Sequence, residues 1–310
     1  MTAKHQTNRK GRTPEQKRAE MEQLHDTLTA AVEQLRDSEA WTAYLRFARS
    51  FHRYSFSNLL LIWAQNPEAT QVAGYRAWQA KGRQVRKGER GIRIYGTGTV
   101  KVAADNEDNG EEVENGRRRV FFPVSVFDIA QTEVMEGHED VSELAHPLTG
   151  EDEGGILARV VDHLTASGAV VEISPLTTAN GYTEPAPEGT GGPVRVVIAD
   201  HLSPAHQAKT ALHEAAHIAL GHVEDLAEYV EHRGRYEVEA ESVAYVLAGM
   251  LGLDSTAYSV GYVAGWAERA EADVIRDSAT RVLAAVHALA DALHIDAEPD
   301  AEPDAEQAAA

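Results

Sequence analysis

Apolar residues recur at helical spacing through the first part of the chain. Leu24, Leu28, Ala31 and Leu35 share one face, and Thr13-Pro14-Glu15 opens that run with an N-cap and a proline suited to the first turn. Further helices are predicted over residues 40–51, 57–65 and 75–80, the second of these stopped by Asn66-Pro67. After Gly88 the period shortens to two. Ile92-Arg93-Ile94-Tyr95 and residues 120–127 read as strands, with the acidic stretch 103–116 as the hairpin loop between them. The second half reads as helix 155–167, strand 169–173, a Gly/Pro-containing loop 177–192 and strand 194–198. Helices follow over 204–220, 235–251, 255–266 and 270–294. The pattern predicts an α+β fold in two domains, the first helical with a small antiparallel sheet. The expected divisions are a disordered basic leader 1–12, a domain 13–132, an acidic linker 133–154, a domain 155–295 and a disordered acidic tail 296–310 that repeats Asp-Ala-Glu-Pro.

Composition narrows this picture. Hydrophobic residues make up 43% of the 310, enough for a buried core. The absence of cysteine excludes disulfides, thiolate metal sites and a cysteine nucleophile. The first residues hold no apolar stretch, and the longest nearly apolar run, 243–253, is too short to span a bilayer, so a cytoplasmic protein with no membrane partner is expected. The net charge of −20 hides an asymmetry. Residues 1–100 carry 17 Lys/Arg against 9 Asp/Glu, and the remainder 12 against 40, which pairs a basic module with an acidic one.

The sharpest motif is His213-Glu214-Ala215-Ala216-His217. It falls in a predicted helix with Ser203 as cap, Pro204 in the first turn and Gly221 at the stop. Positions i and i+4 share a helical face, so both imidazoles can meet one cation. The small apolar residues around them mark a buried helix. Zinc is the expected cofactor, with manganese as the alternative, because two histidines and a carboxylate suit both. A bound zinc lowers the pKa of a coordinated water to about 7. Glu214 is then placed as the catalytic base that takes a proton and returns it to a leaving amine.

A catalytic zinc needs a third protein ligand and an open position. Downstream candidates are His222, Glu224, Asp225, Glu228, Glu231, Glu237, Glu239 and Glu241. His222 follows the helix end too closely to face the metal. Tyr236-Glu237-Val238-Glu239-Ala240-Glu241 reads as a second helix, and here the chain resembles gluzincin-type metallopeptidases. The resemblance implies that Glu237 is the third metal ligand and that Glu241, four residues on, supports a histidine ligand. Glu241 stands where Asp or Asn is commoner in that pattern. Glu239 is the runner-up ligand, expected to point away from Glu237. His222, Tyr229, His232, Tyr258 and Tyr262 are candidates to stabilise an oxyanion, and strand 194–198 is a candidate edge for pairing with an extended peptide.

Residues 41–93 hold ten Lys/Arg, two acidic residues and a dense set of aromatics. Cations neutralise phosphates and aromatic faces stack on unpaired bases, which is what a single-strand binder requires. Ser55-Phe56-Ser57-Asn58-Leu59-Leu60-Leu61-Ile62-Trp63-Ala64-Gln65-Asn66-Pro67, Val72-Ala73-Gly74-Tyr75-Arg76-Ala77-Trp78 and Gly82-Arg83-Gln84-Val85-Arg86-Lys87-Gly88 resemble the N-terminal domain of ArdC-type antirestriction proteins. That family joins a single-stranded-DNA-binding domain to a C-terminal zincin-like, ImmA/IrrE-like metallopeptidase domain carrying H-E-x-x-H, and the resemblance runs over residues 13–290. Tyr54, Tyr75 and Trp78 are the stacking candidates. Arg76, Arg83, Arg86 and Lys87 are the phosphate candidates, and Asn58 is a further motif position. The resemblance implies an antirestriction protein of a plasmid or phage that binds single-stranded DNA, with a host restriction enzyme or a protein substrate as further partner. The competing reading is a metal-dependent peptidase cleaving a regulatory protein, with the N-terminal domain serving to target it.

Overall fold

The computed structural model describes residues 13–51, 54–101, 113–114, 117–135, 152, 155–177, 179–186, 192–253 and 270–295. The predicted leader, the tail, most of the 103–116 loop, helix 255–266 and the bulk of the acidic linker lie outside the described residues.

Thr13 caps helix α1 (Pro14–Gln34) in a reciprocal box. Its hydroxyl accepts from the Gln16 amide, and the Gln16 side chain accepts from the Thr13 amide. Helices α2 (Ser38–Phe51) and α3 (Phe56–Gln65) follow. They pack through Tyr44, Phe47, Phe51 and Phe56, all buried. The strands are β1 (Val72–Gly74), β2 (Arg83–Val85), β3 (Ile92–Lys101), β4 (Val113–Glu114), β5 (Arg117–Asp128) and β6 (Thr132–Val134), with the short helix α4 (Tyr75–Ala80) between β1 and β2. The antiparallel sheet runs β1-β5-β3 with β4 on β5, while β2 pairs with β6. Alternation sets the buried face: Ile92 and Ile94 lie opposite Val126 and Val124, and all four are buried. Because β6 pairs with β2 in a separate two-stranded sheet, residues 133 and 134 of the predicted linker are strand.

Helix α3 shields the outer edge of β3. The Asn58 carboxamide bonds both the amide and carbonyl of Tyr95, at 2.8 and 2.9 Å, and Gln65 does the same for Arg93 at 2.9 and 2.8 Å. Two side-chain amides thus stand in for a neighbouring strand and close an edge that would otherwise be open to pairing.

The second half holds α5 (Ile156–Ala166), β7 (Val170–Ser174), β8 (Gly181–Glu184), β9 (Arg195–Ala199), α6 (Pro204–Ala219), α7 (Leu226–Met250) and α8 (Ala272–Ala292). β7 is parallel to β9 and β8 antiparallel, in the order β7-β9-β8. This corrects one expectation. The strand read at 194–198 is central and paired on both sides, so it offers no free edge, and β8 emerges within the stretch read as loop. Helix α7 bends at His232, whose backbone leaves the helical region (φ −108°, ψ 16°).

The apolar core is continuous across both halves. Helix α2 packs on α7, with the Trp41 indole donating to Ser242 Oγ at 3.2 Å and the Arg49 guanidinium 4.0 Å from the centre of the Tyr245 ring. No helix among the described residues is long and apolar enough to cross a membrane.

Candidate functional site

Helix α6 and helix α7 contribute the chemistry together. One turn separates His213 from His217 on α6, and their Nε2 atoms stand 3.1 Å apart. Glu237 on α7 brings Oε2 to 3.5 Å from His213 Nε2. One ligand atom from each of the three lies within 4.8 Å of the others. Ligands at about 2.0–2.1 Å from a tetrahedral zinc stand a little over 3 Å from one another, which the 3.1 and 3.5 Å separations match.

Each histidine is oriented by its other nitrogen. His213 Nδ1 donates to Glu241 Oε2 at 3.1 Å, and Glu241 Oε1 accepts from Lys209 Nζ at 2.7 Å. This explains a glutamate at 241: the carboxylate serves an imidazole with one oxygen and an ammonium with the other. His217 Nδ1 donates to His222 Nδ1 at 3.0 Å, and His222 Nε2 donates to Glu239 Oε2 at 3.1 Å, tautomers that follow from aiming Nε2 of His217 at the cation position. Glu239 is fully buried and also accepts from Arg235, Ser278 and Arg281. Arg281 reaches on to the Leu220 carbonyl at the end of α6. Both supporting carboxylates therefore carry their own cations, while Glu237 has only the exposed Arg233 at 4.0 Å from Oε1 and turns Oε2 toward His213.

The electrostatics follow. Burial alone would lower His213, but its bonds to Glu237 and Glu241 outweigh that and lift it to about 10. His217 is pushed down to about 3 by burial and by His213. Burial opposes ionisation of Glu237, Glu239 and Glu241, yet hydrogen bonds and neighbouring positive charge bring each to about 2. Burial raises Glu214 above the ordinary carboxylate range, the direction that suits a proton acceptor. Its Oε2 accepts from Thr183 Oγ1 on β8 at 2.7 Å. A Cβ at Gly181 would stand 2.5 Å from Thr210 Cγ2 and 3.2 Å from Glu214 Oε1, so glycine there lets β8 lie close over α6. A cavity of about 170 Å³ opens beside His213, Glu214 and Glu237, flanked by Asn180, His206 and Thr210.

Comparison with known proteins places both halves. Residues 18–127 match the family model of the N-terminal domain of anti-restriction factor ArdC, and residues 165–259 match that of the IrrE N-terminal-like domain. The chain joins an ArdC N-terminal domain to an IrrE-like domain. An uncharacterised protein of Bacillus anthracis is 24% identical over 303 residues, covering 84% of this chain and 49% of that protein, so the chain spans about half the length of the curated relative it matches. Crystal structures of the antirestriction ArdC protein from R388 plasmid, metal-free and Mn(II)-bound, are each 22% identical. They cover 78% and 77% of this chain and 85% of theirs, with TM-scores of 0.48 and 0.47.

Within the ArdC-type half, the structure divides the residues singled out from sequence. Trp78 is fully buried, and its indole donates to the Phe127 carbonyl at 2.8 Å. Tyr54 is buried, and its hydroxyl donates to the Val72 carbonyl. Arg83 is buried, with Nε on Thr132 Oγ1 at 2.8 Å. These three are corrections: rings enclosed by core and a guanidinium held inside the β2–β6 pair have no face for a base or a phosphate. Asn58 is likewise spent on the β3 edge. Tyr75, Arg76, Arg86 and Lys87 are exposed, although Arg86 also bonds Glu89 and the Ala130 carbonyl. In the IrrE-like half, Tyr229 donates to Glu237 Oε1, whereas Tyr258 and Tyr262 lie outside the described residues. Sequence reading missed Lys209, His222 and Thr183 as supports. Lys209 and His222 do carry a signal in hindsight, standing four residues before His213 and five after His217.

Proposed function

We propose that the protein binds single-stranded DNA through its ArdC-type half, holds one divalent cation on His213, His217 and Glu237, and acts to protect incoming DNA from restriction. The observation that carries this reading is the joining of an ArdC N-terminal domain to a second domain in which two imidazoles and a carboxylate converge on one point. Tyr75, Arg76, Arg86 and Lys87 are the exposed groups available to bases and phosphates. The test is binding of the full chain to single- and double-stranded oligonucleotides of one sequence across a salt series. Tight single-strand binding that falls steeply with salt is expected; equal, weak binding to both forms overturns the DNA reading.

A second reading is supported by Glu214. A bound divalent cation would supply Lewis acidity and an acidified water. Glu214 lies beside that position, its carboxylate held by Thr183 and biased toward accepting a proton. Such an arrangement serves amide hydrolysis, with the cavity at Asn180, His206 and Thr210 receiving the substrate. Glu214→Gln separates the readings: a hydrolase loses its function while metal affinity stays, and a binding protein keeps both.

A further inference from the structure

The bend in α7 places two tyrosine–carboxylate bonds across itself. Tyr229 donates to Glu237, and Tyr236 donates to Glu228 at 2.8 Å. The pairs 228–236 and 229–237 have the same spacing and opposite sense: a carboxylate before the bend meets a phenol after it, and a phenol before the bend meets a carboxylate after it. Residues eight apart in a straight helix are about 12 Å apart along the axis. The break at His232 is what lets both pairs close. Together they form a clasp that folds the first turns of α7 over the centre. The Tyr229 ring lies 5.9 Å from the His217 ring, edge to face.

The two oxygens of Glu237 are thereby separated in role. Oε2 faces His213 Nε2, and Oε1 accepts the phenol's hydrogen bond, with the solvent-exposed Arg233 guanidinium farther off at 4.0 Å. We propose that Tyr229 is a positioning residue of the metal centre: by occupying Oε1 it makes Glu237 a one-oxygen ligand and leaves a coordination position open on the cavity side. The proposal rests on the reading of His213, His217 and Glu237 as cation ligands and goes beyond it in assigning what sets the coordination number. The phenol acts as an outer support of the kind that imidazole ligands receive from carboxylates. Here the order is reversed, with the carboxylate as ligand and the neutral donor behind it. The bond from Tyr236 to Glu228 holds the segment that carries Tyr229. Tyr236 also stacks on His222 at 4.1 Å, which joins the clasp to the support of His217.

The test uses the full chain, Zn(II) for affinity by competition with a chromophoric chelator and Co(II) for its visible spectrum. Tyr229→Phe removes one oxygen and keeps the ring. It is expected to lower Zn(II) affinity about tenfold, at the low end of the range for outer supports. It is also expected to weaken the Co(II) visible bands, because the freed carboxylate oxygen moves onto the ion and raises its coordination number. Tyr236→Phe keeps the stack on His222 and is expected to shift affinity the same way by about threefold, the size of one net hydrogen bond. A Tyr229→Phe variant that matches the wild type in both affinity and spectrum overturns the inference while the ligand assignment stands. A wild-type chain that takes up neither ion overturns the ligand assignment and the inference with it.

Discussion

The histidine-bearing helix α6 and the basic, aromatic-rich module ahead of it carry different kinds of pattern, one of spacing and one of content. Spacing of four on a helix is a geometric statement, so His213 and His217 share a face in any structure where that helix forms. Basic charge and aromatic content are statements about composition, and composition does not say which way a ring points. Trp78 and Tyr54 turned inward and anchor strands through their polar tips; Tyr75 and Lys87 stayed outside. A motif built on spacing fixes relative position, whereas a motif built on content leaves core and surface unresolved.

Substitutions put that contrast to the test. Trp78→Ala is expected to cost about 3–5 kcal/mol of stability by emptying a fully buried site, measured by denaturant unfolding. The same variant, kept folded at low temperature, should retain its oligonucleotide affinity; a selective loss of single-strand binding without loss of stability would return Trp78 to the DNA surface. Glu237→Ala is expected to lower Zn(II) affinity by more than about 100-fold, since removal of a ligand should exceed the loss of an outer support. Calorimetric titration that finds full affinity would dissolve the three-residue centre. Lys209→Met leaves Glu241 without its ammonium and should cost about tenfold in metal affinity with little change in oligonucleotide binding. Lys87→Ala is the mildest: a few-fold weaker single-strand binding and a salt slope shallower by about one, with stability unchanged. An unaltered slope would remove Lys87 from the phosphate contacts.

The fold was legible where periodicity was long. α1, β5 and α6 follow patterns of eight or more residues, and Thr13 caps as its sequence context predicts, whereas Ser203 stands at the N-cap of α6 without a side-chain bond and β3 runs on to Lys101, six residues past the four read as strand. Short elements were lost. β1, β2, β6 and β8 are three or four residues each, too brief for alternation to register, and they exist because a partner strand lies beside them. The missed β8 also hid Thr183 and Gly181, which shape the surroundings of Glu214. The triad His213, His217 and Glu237 was within reach of spacing and resemblance. Its supports were not, because Lys209 meets Glu241, and His222 meets Glu239, only after α6 and α7 have packed. A residue's role as a support is a property of two elements at once.

Trp41 and Arg49 on α2 reach Ser242 and Tyr245 on the helix whose neighbouring face carries Glu237 and Glu241. The two halves are therefore not interchangeable parts. Exchanging the IrrE-like half for that of a relative would replace one side of an indole–hydroxyl bond and a cation–π contact while keeping the other. A workable hybrid has to carry α2 and α7 as a matched pair. Recombination that shuffles these halves among genes should leave its trace as paired changes at 41 with 242 and at 49 with 245.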